Sequence, residues 1–232
     1  MRCMSKPKMC WVAAALIVLP VLAAAADETA QLDGVLALIE RNQMLLRTRE
    51  TCPADLYRSQ ATLFSLLQTT NGPDMSTCRS DLKFCHDSCV FGKNDTACFS
   101  LARALQEYGA PAADKHYEPL FALACAIGRP SGCTNRAAGI RNGGYANEPF
   151  AAFSDEARGL CLRRSFKIAC EGDDAWGCAM YGQSLYDGEG GEEDIAAAAS
   201  AFKKSCAFDE EAPSCEFSKQ FLDAMTQALN PK

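Results

Sequence analysis

The residues of this chain best placed to do chemistry are its cysteines. Cys89 and Cys98, Cys125 and Cys133, Cys170 and Cys178, and Cys206 and Cys215 form pairs eight or nine positions apart, and successive pairs begin 36, 45 and 36 positions on. The chemistry open to them is oxidation to disulfides or ligation of a metal. Spacing argues against a metal. A structural zinc site needs two close ligand pairs such as C-x2-C, whereas the shortest interval here runs from Cys85 to Cys89, with His86 between them and His116 as the second histidine of two. His86 reads as an ordinary exposed helix residue, and neither a metal nor a cofactor is expected. Neither histidine has a serine or cysteine at a spacing that argues for nucleophilic catalysis. The chain also lacks a Gly-x-Ser-x-Gly elbow, a phosphate loop and a C-x-x-C redox motif. The acidic runs Asp187-Gly-Glu189-Gly-Gly-Glu192-Glu193-Asp194 and Asp209-Glu210-Glu211 lack the terminal bidentate glutamate of a calcium loop and read as solvated turns.

Compartment decides between the remaining readings of the cysteines. Residues 1–26 begin with Arg2, Lys6 and Lys8, continue in an apolar run from Trp11 through Leu22, and end in Ala23 to Ala26 before the polar Asp27. That is the layout of a cleavable secretory signal, with Ala24 and Ala26 as its small-x-small site. Pro20 interrupts a run already short for a membrane span, so no stable membrane insertion is expected after cleavage. Neither Cys3 nor Cys10 lies at the cleavage point, so no lipid-modified cysteine is expected. Cleavage removes three basic residues and no acidic ones, leaving 20 Lys and Arg against 29 Asp and Glu, a formal charge of −9. An acidic export product without a basic cluster is a poor partner for nucleic acid or anionic lipid. Twelve of the fourteen cysteines remain, and an even, dense set in a periplasmic or secreted chain reads as disulfides. Asn94-Asp95-Thr96 matches a glycosylation sequon by pattern.

The elements that carry these pairs repeat in phase. The fourth residue after the second cysteine is small three times, at Ala102, Ala137 and Gly182, and the fourth before the next pair is aromatic three times, at Phe121, Phe166 and Phe202. Ser88, Ala124, Ala169 and Ser205 stand just before the first cysteines. Each unit reads as two helices: one begins around the second cysteine and stops at glycines such as Gly188 and Gly190, and the other opens on an acidic residue such as Asp194. A small residue lets the second helix approach and phenylalanine fills the layer between them. One such pair cannot bury its apolar face alone, but stacked pairs can, which predicts an all-α solenoid with a disulfide across each inter-unit turn.

The stretch Cys170-Glu-Gly-Asp-Asp-Ala-Trp-Gly-Cys178-Ala-Met-Tyr-Gly182-Gln-Ser-Leu-Tyr186-Asp-Gly188-Glu-Gly190, followed by Ala198-Ala-Ser-Ala-Phe202-Lys-Lys-Ser-Cys206, resembles a Sel1-like repeat of the cysteine-rich bacterial type, as in the Helicobacter cysteine-rich proteins. The resemblance covers roughly residues 76–228. It is strong in this unit and weaker in the others, with an insertion around Tyr145 to Ala157, a shortened turn at Gly109-Ala-Pro111, and Lys219 at the small-residue position of the last segment. It implies a tetratricopeptide-like, right-handed α-α superhelix with a concave binding surface. Asn135, Arg136, Tyr145, Tyr181 and Tyr186 are the candidate partner-binding residues on that surface, Tyr181 being equally readable as a packing residue. The family also implies two narrower roles. One is a periplasmic immunity protein that neutralises a secreted toxin. The other is a weak β-lactam-binding hydrolase, for which Ser200-Ala-Phe-Lys203 supplies a Ser-x-x-Lys match but no Ser-Asp-Asn or Lys-Thr-Gly partner. The expected function is an exported scaffold that binds a protein, or else a cell-wall fragment, and not an enzyme.

Residues 27–72 fall outside the repeat, which occupies 73–232. Leu32, Val35, Leu36, Leu38, Ile39, Leu45 and Leu46 form one helical stripe, and Leu56, Leu63, Phe64, Leu66 and Leu67 another after the Thr51-Cys52-Pro53 break. This predicts an N-terminal helical hairpin capping the array, with Gly72-Pro73-Asp74 as the hinge. Four cysteines remain. Cys78 and Cys85 lie about 10.5 Å apart along a regular helix, too far to join, so Cys52 with Cys85 is the favoured bond. Cys78 and Cys161 are then either bridged across the array or free thiols.

Overall fold

The computed structural model describes residues 28–58, 72–108, 114–143, 150 and 153–229, which form helices and turns and no strand. The helices are α1 (residues 28–41), α2 (Gln43–Arg49), α3 (Pro53–Leu56), α4 (Met75–Ser80), α5 (Leu82–Val90), α6 (Asp95–Tyr108), α7 (Asp114–Ile127), α8 (Pro130–Asn142), α9 (Asp155–Glu171), α10 (Ala175–Tyr186), α11 (Ile195–Phe208) and α12 (Pro213–Leu229). From α5 onward every helix packs on its chain neighbours, and α10 also touches α8 and α12. Among the described residues no helix is long and apolar enough to cross a membrane.

Short polar side chains start these helices by taking an amide proton that would otherwise have no partner. Asn94 Oδ1 accepts from Ala97 N–H at 2.8 Å ahead of α6, and Asp194 from Ala197 N–H at 2.9 Å ahead of α11. Asp74 caps the exposed start of α4, and the Thr77 N–H holds its carboxyl down at about 2. Helix α8 begins on Pro130 and ends at Gly143 with φ +61°, the Pro-in, Gly-out asymmetry of a well-marked helix. Helix α10 ends on right-handed Asp187, one residue before the expected glycine stop. Gly188 and Gly190, at φ +68° and +72°, shape the turn beyond it. A Cβ on Gly190 would lie 2.2 Å from the Gly159 carbonyl oxygen, so glycine lets that turn rest on α9.

The phase-locked residues meet as their spacing predicts. Ala102 and Phe121 share one core cluster, Ala137 and Phe166 another, and a Cβ on Gly182 would meet the Phe202 ring at 2.7 Å. All three phenylalanines are buried. Across the turns joining α5 to α6, α7 to α8, α9 to α10 and α11 to α12, the cysteine pairs Cys89–Cys98, Cys125–Cys133, Cys170–Cys178 and Cys206–Cys215 are bonded, with Cα separations of 4.6, 4.6, 4.3 and 4.4 Å. Between these staples, polar side chains tie one helix pair to the next. Arg141 on α8 reaches Glu189, Gln183 and Ser184 with its guanidinium 4.4 Å from the Phe166 ring centroid, and Lys204 on α11 donates to the Cys170 carbonyl at 2.7 Å.

The other two disulfides correct the expected pairing. Cys78 bonds Cys85, with Cα atoms 5.4 Å apart, because the helix that would have held them apart is broken. Asp81, at φ −145° and ψ 83°, ends α4 and caps α5 through Phe84 N–H. Cys52 bonds Cys161 on α9 and not Cys85. His86 is also not exposed: it lies buried on α5 with Nδ1 3.0 Å from Asp87 and its ring edge-on to Phe91.

The Cys52–Cys161 bond follows from the path of the N-terminal segment. Helix α1 covers the first layer, putting Val35, Leu36 and Ile39 into the cluster of Cys78, Leu82 and Cys85. The second helix of the expected hairpin, with Leu63, Phe64, Leu66 and Leu67, lies outside the described residues. Asn42 ends α1 and caps α2, which continues along the array to pack on α7, and α3 then touches α7, α8 and α9. Arg49 O accepts from Arg136 at 2.9 Å, Ala54 N–H donates to Ser165 Oγ at 3.1 Å, and Arg164 pairs with Asp55. Residues 28–58 are thus a strap fastened to successive layers.

Candidate binding groove

Helices α6, α8 and α10 leave a groove of about 430 Å³ between them, lined by Phe99 and Arg103, by Thr134, Asn135 and Ala138, and by Trp176 and Met180. Phe99 and Arg103, Asn135 and Ala138, and Trp176 and Met180 are three or four residues apart on their helices, which puts each pair on one face, with Thr134 beside Asn135. In register terms the lining sits at fixed steps from the second cysteine of each pair: Phe99 and Thr134 one residue on, Asn135 and Met180 two, Arg103 and Ala138 five. The disulfide that staples each turn therefore also sets the rotation of the helix that faces the groove.

The side chains are held unevenly. The Arg129 guanidinium lies 4.9 Å from the Phe99 ring centroid while Nη1 donates to Thr96 at 3.0 Å and Nε to Ser131 at 3.1 Å, so the back of Phe99 is braced by a cation. Trp176 leans on Phe217 of α12 at 5.9 Å between centroids yet stays 42% exposed. Thr134 donates to Asp174 at 2.7 Å, and Asp174 caps α10 by accepting from Gly177 N–H at 2.6 Å. Burial pushes the Asp174 carboxyl above its ordinary range, partly offset by Thr134 and Gly177. Asn135 uses its amide on the Ser131 carbonyl at 2.8 Å. Arg103 donates to Gln106 at 2.8 Å and pairs with no carboxylate among the described residues.

Of the five residues expected to contact a partner, Asn135 lines the groove. Arg136 does not. Its helix neighbour faces the groove, but Arg136 points the other way and is fully buried, 2.8 Å from the equally buried Glu118 and hydrogen-bonded to the strap. Tyr181 packs between two core clusters, and Tyr186 meets Phe221 edge-on at 5.4 Å, so both serve the interior. Tyr145 lies outside the described residues. Phe99, Arg103, Trp176 and Met180 were not singled out from the sequence; Met180 stands at the same step from its cysteine as Asn135, a signal that could have found it, whereas Trp176 lies two residues before Cys178 and shares no step with the others.

The residues with catalytic or metal potential are scattered. Ser200 and Lys203 are both exposed on α11, on either side of the buried Phe202. His116 sits 3.0 Å from Glu40 on α1, far along the chain from His86. Glu189, in the acidic turn, is occupied by Arg141 and Ser184. Among the described residues no three His, Cys, Asp or Glu side chains group as metal ligands. Six disulfides point to an oxidising compartment outside the cytoplasm. No protein family, characterised protein or solved structure matches the chain.

Proposed function

We propose that this chain is an exported binding scaffold of the bacterial envelope: a disulfide-stapled α-α superhelix of the Sel1-like, tetratricopeptide-like kind that receives a protein partner in the groove across α6, α8 and α10. The observation that carries the reading is the groove's Trp176, set beside Phe99 and Arg103 and left 42% exposed among the described residues. Tryptophan and arginine in a shallow, partly apolar depression are the residue types that anchor interfaces.

Two further observations support it. The staple, small residue and phenylalanine recur in phase along the array, as stacked identical units require. The strap meets α7, α8 and α9, but on α8 it takes up Arg136, which is not among the residues lining the groove, so the N-terminal segment and a partner would not compete. Export is supported by the signal-like layout of residues 1–26 together with the six disulfides.

The sequence offers a direct test, because Trp11 and Trp176 are its two tryptophans. In a Trp11→Phe chain all indole fluorescence comes from the groove. Adding the physiological partner is expected to blue-shift that emission and shield it from acrylamide. A partner that binds tightly and leaves both signals unchanged docks elsewhere and removes the reading.

A further inference from the structure

The groove also carries information about what it accepts, an inference that rests on its being the binding site. Its lining holds one charged group, Arg103, and no carboxylate. Carboxylates on its own helix and ahead of α10 are already engaged. Glu107, one helical turn on from Arg103, is paired with Arg79. Asp95 faces Arg129 at 3.8 Å, and Asp174 is taken by Thr134 and Gly177. Among the described residues Arg103 is thus left without a carboxylate partner at the wall of a partly apolar depression.

Around Arg103 the surface is apolar in discrete spots. Phe99 stands one turn before it on the same helix, with Ala138, Met180 and Trp176 across from it. Asn135 and Thr134 add two short polar groups between these spots. An occupant that satisfies the groove must bring a negative group to Arg103 and apolar side chains to Phe99, Met180 and Trp176. The chain's overall negative charge opposes a polyanion, which favours a short segment with one or two carboxylates set among apolar residues.

We propose that the groove recognises a peptide segment that combines an acidic residue, held by Arg103, with neighbouring apolar side chains that pack on Trp176 and Phe99. Electrostatic complementarity of this kind selects partners more than it adds affinity. Reversing the charge therefore changes which peptide binds, while removing the indole weakens all of them.

The test is selection of a displayed random library of peptides about twelve residues long on the immobilised full chain, followed by anisotropy with the enriched peptides. The enriched set is expected to hold Asp or Glu next to Leu, Phe, Trp or Met. Arg103→Glu is expected to weaken those peptides about tenfold or more and to enrich Lys- or Arg-bearing ones in a repeat selection, and Trp176→Ala to weaken both sets about tenfold. Both positions are partly exposed, and unchanged circular dichroism melts establish that neither variant acts by unfolding. If Trp176→Ala abolishes binding but the enriched peptides carry no acid, or Arg103→Glu leaves their affinity unchanged, the acidic-segment proposal falls while the groove stands as the site. If neither variant alters binding, the groove itself is wrong and the proposal falls with it. An empty selection, or soluble cell-wall fragments shifting Trp176 emission where no peptide does, overturns it too.

Discussion

Replacing Cys52 and Cys161 together with alanine tests whether the strap is fastened to the array as described. The bond joins residues 109 apart, against 9 for Cys206–Cys215. On the chain-entropy account, closing a loop of about 100 residues restricts the unfolded chain by about 4.7 kcal/mol, and a loop of nine by about 2.5. Three other disulfides lie inside the large loop and shorten its path by 7, 9 and 8 residues. The dependence is logarithmic, so this lowers the larger figure by only about 0.2 kcal/mol. The double variant should therefore lose about 2 kcal/mol more than the matched Cys206→Ala, Cys215→Ala variant in urea denaturation under non-reducing conditions. It should also show faster amide exchange over residues 45–57, with α10 to α12 unchanged. Equal losses in the two variants, or unchanged exchange in the strap, would refute the long-range tie.

Phe202→Ala empties a buried site between Gly182 and the stacked Phe221 ring and should cost about 3–5 kcal/mol. The same change at the half-exposed Phe208 should cost under about 1 kcal/mol by the same denaturation assay. Arg136→Met leaves Glu118 buried opposite an apolar side chain and should cost about 3–5 kcal/mol, most of it recovered by adding Glu118→Leu; a double variant no better than the single would show that the pair is not the source. At Asp174 the folded carboxyl holds its proton more tightly than the unfolded one. Stability from this group is thus complete below the ordinary carboxyl range and lost as pH rises through the raised folded value. Asp174→Asn keeps a capping oxygen and does not ionise, so it should gain stability relative to wild type as pH is raised from about 3 to 7. A constant difference across that range would contradict the role given to burial.

Helix pairs and staples were legible because they repeat: Ala102, Ala137 and Gly182 against Phe121, Phe166 and Phe202 give the same packing answer three times. The Cys78–Cys85 bond was not, because it depends on one residue, Asp81, breaking a helix that periodicity alone would continue. Nor was Cys52–Cys161, since the direction taken by a strap after Asn42 is set by contacts with α7 and α9 that leave no period in the strap itself. Arg136 misled for a related reason. Charge suggested exposure, and only its position one residue round the helix from Asn135, beside Glu118 and the strap carbonyl of Arg49, turns it inward. Trp176, between Cys170 and Cys178 inside the most regular unit, gave no signal because its 42% exposure depends on how the neighbouring helices pack around it.

The central claim, that partners occupy the surface of α6, α8 and α10, is tested most directly by site-specific photocrosslinking. A benzoylphenylalanine at Ala138, on the groove floor, and another at Ser200, exposed on α11, are irradiated with the physiological partner bound. The account predicts one adduct from position 138 that disappears with Trp176→Ala, and none from position 200. An adduct from position 200 alone would contradict it.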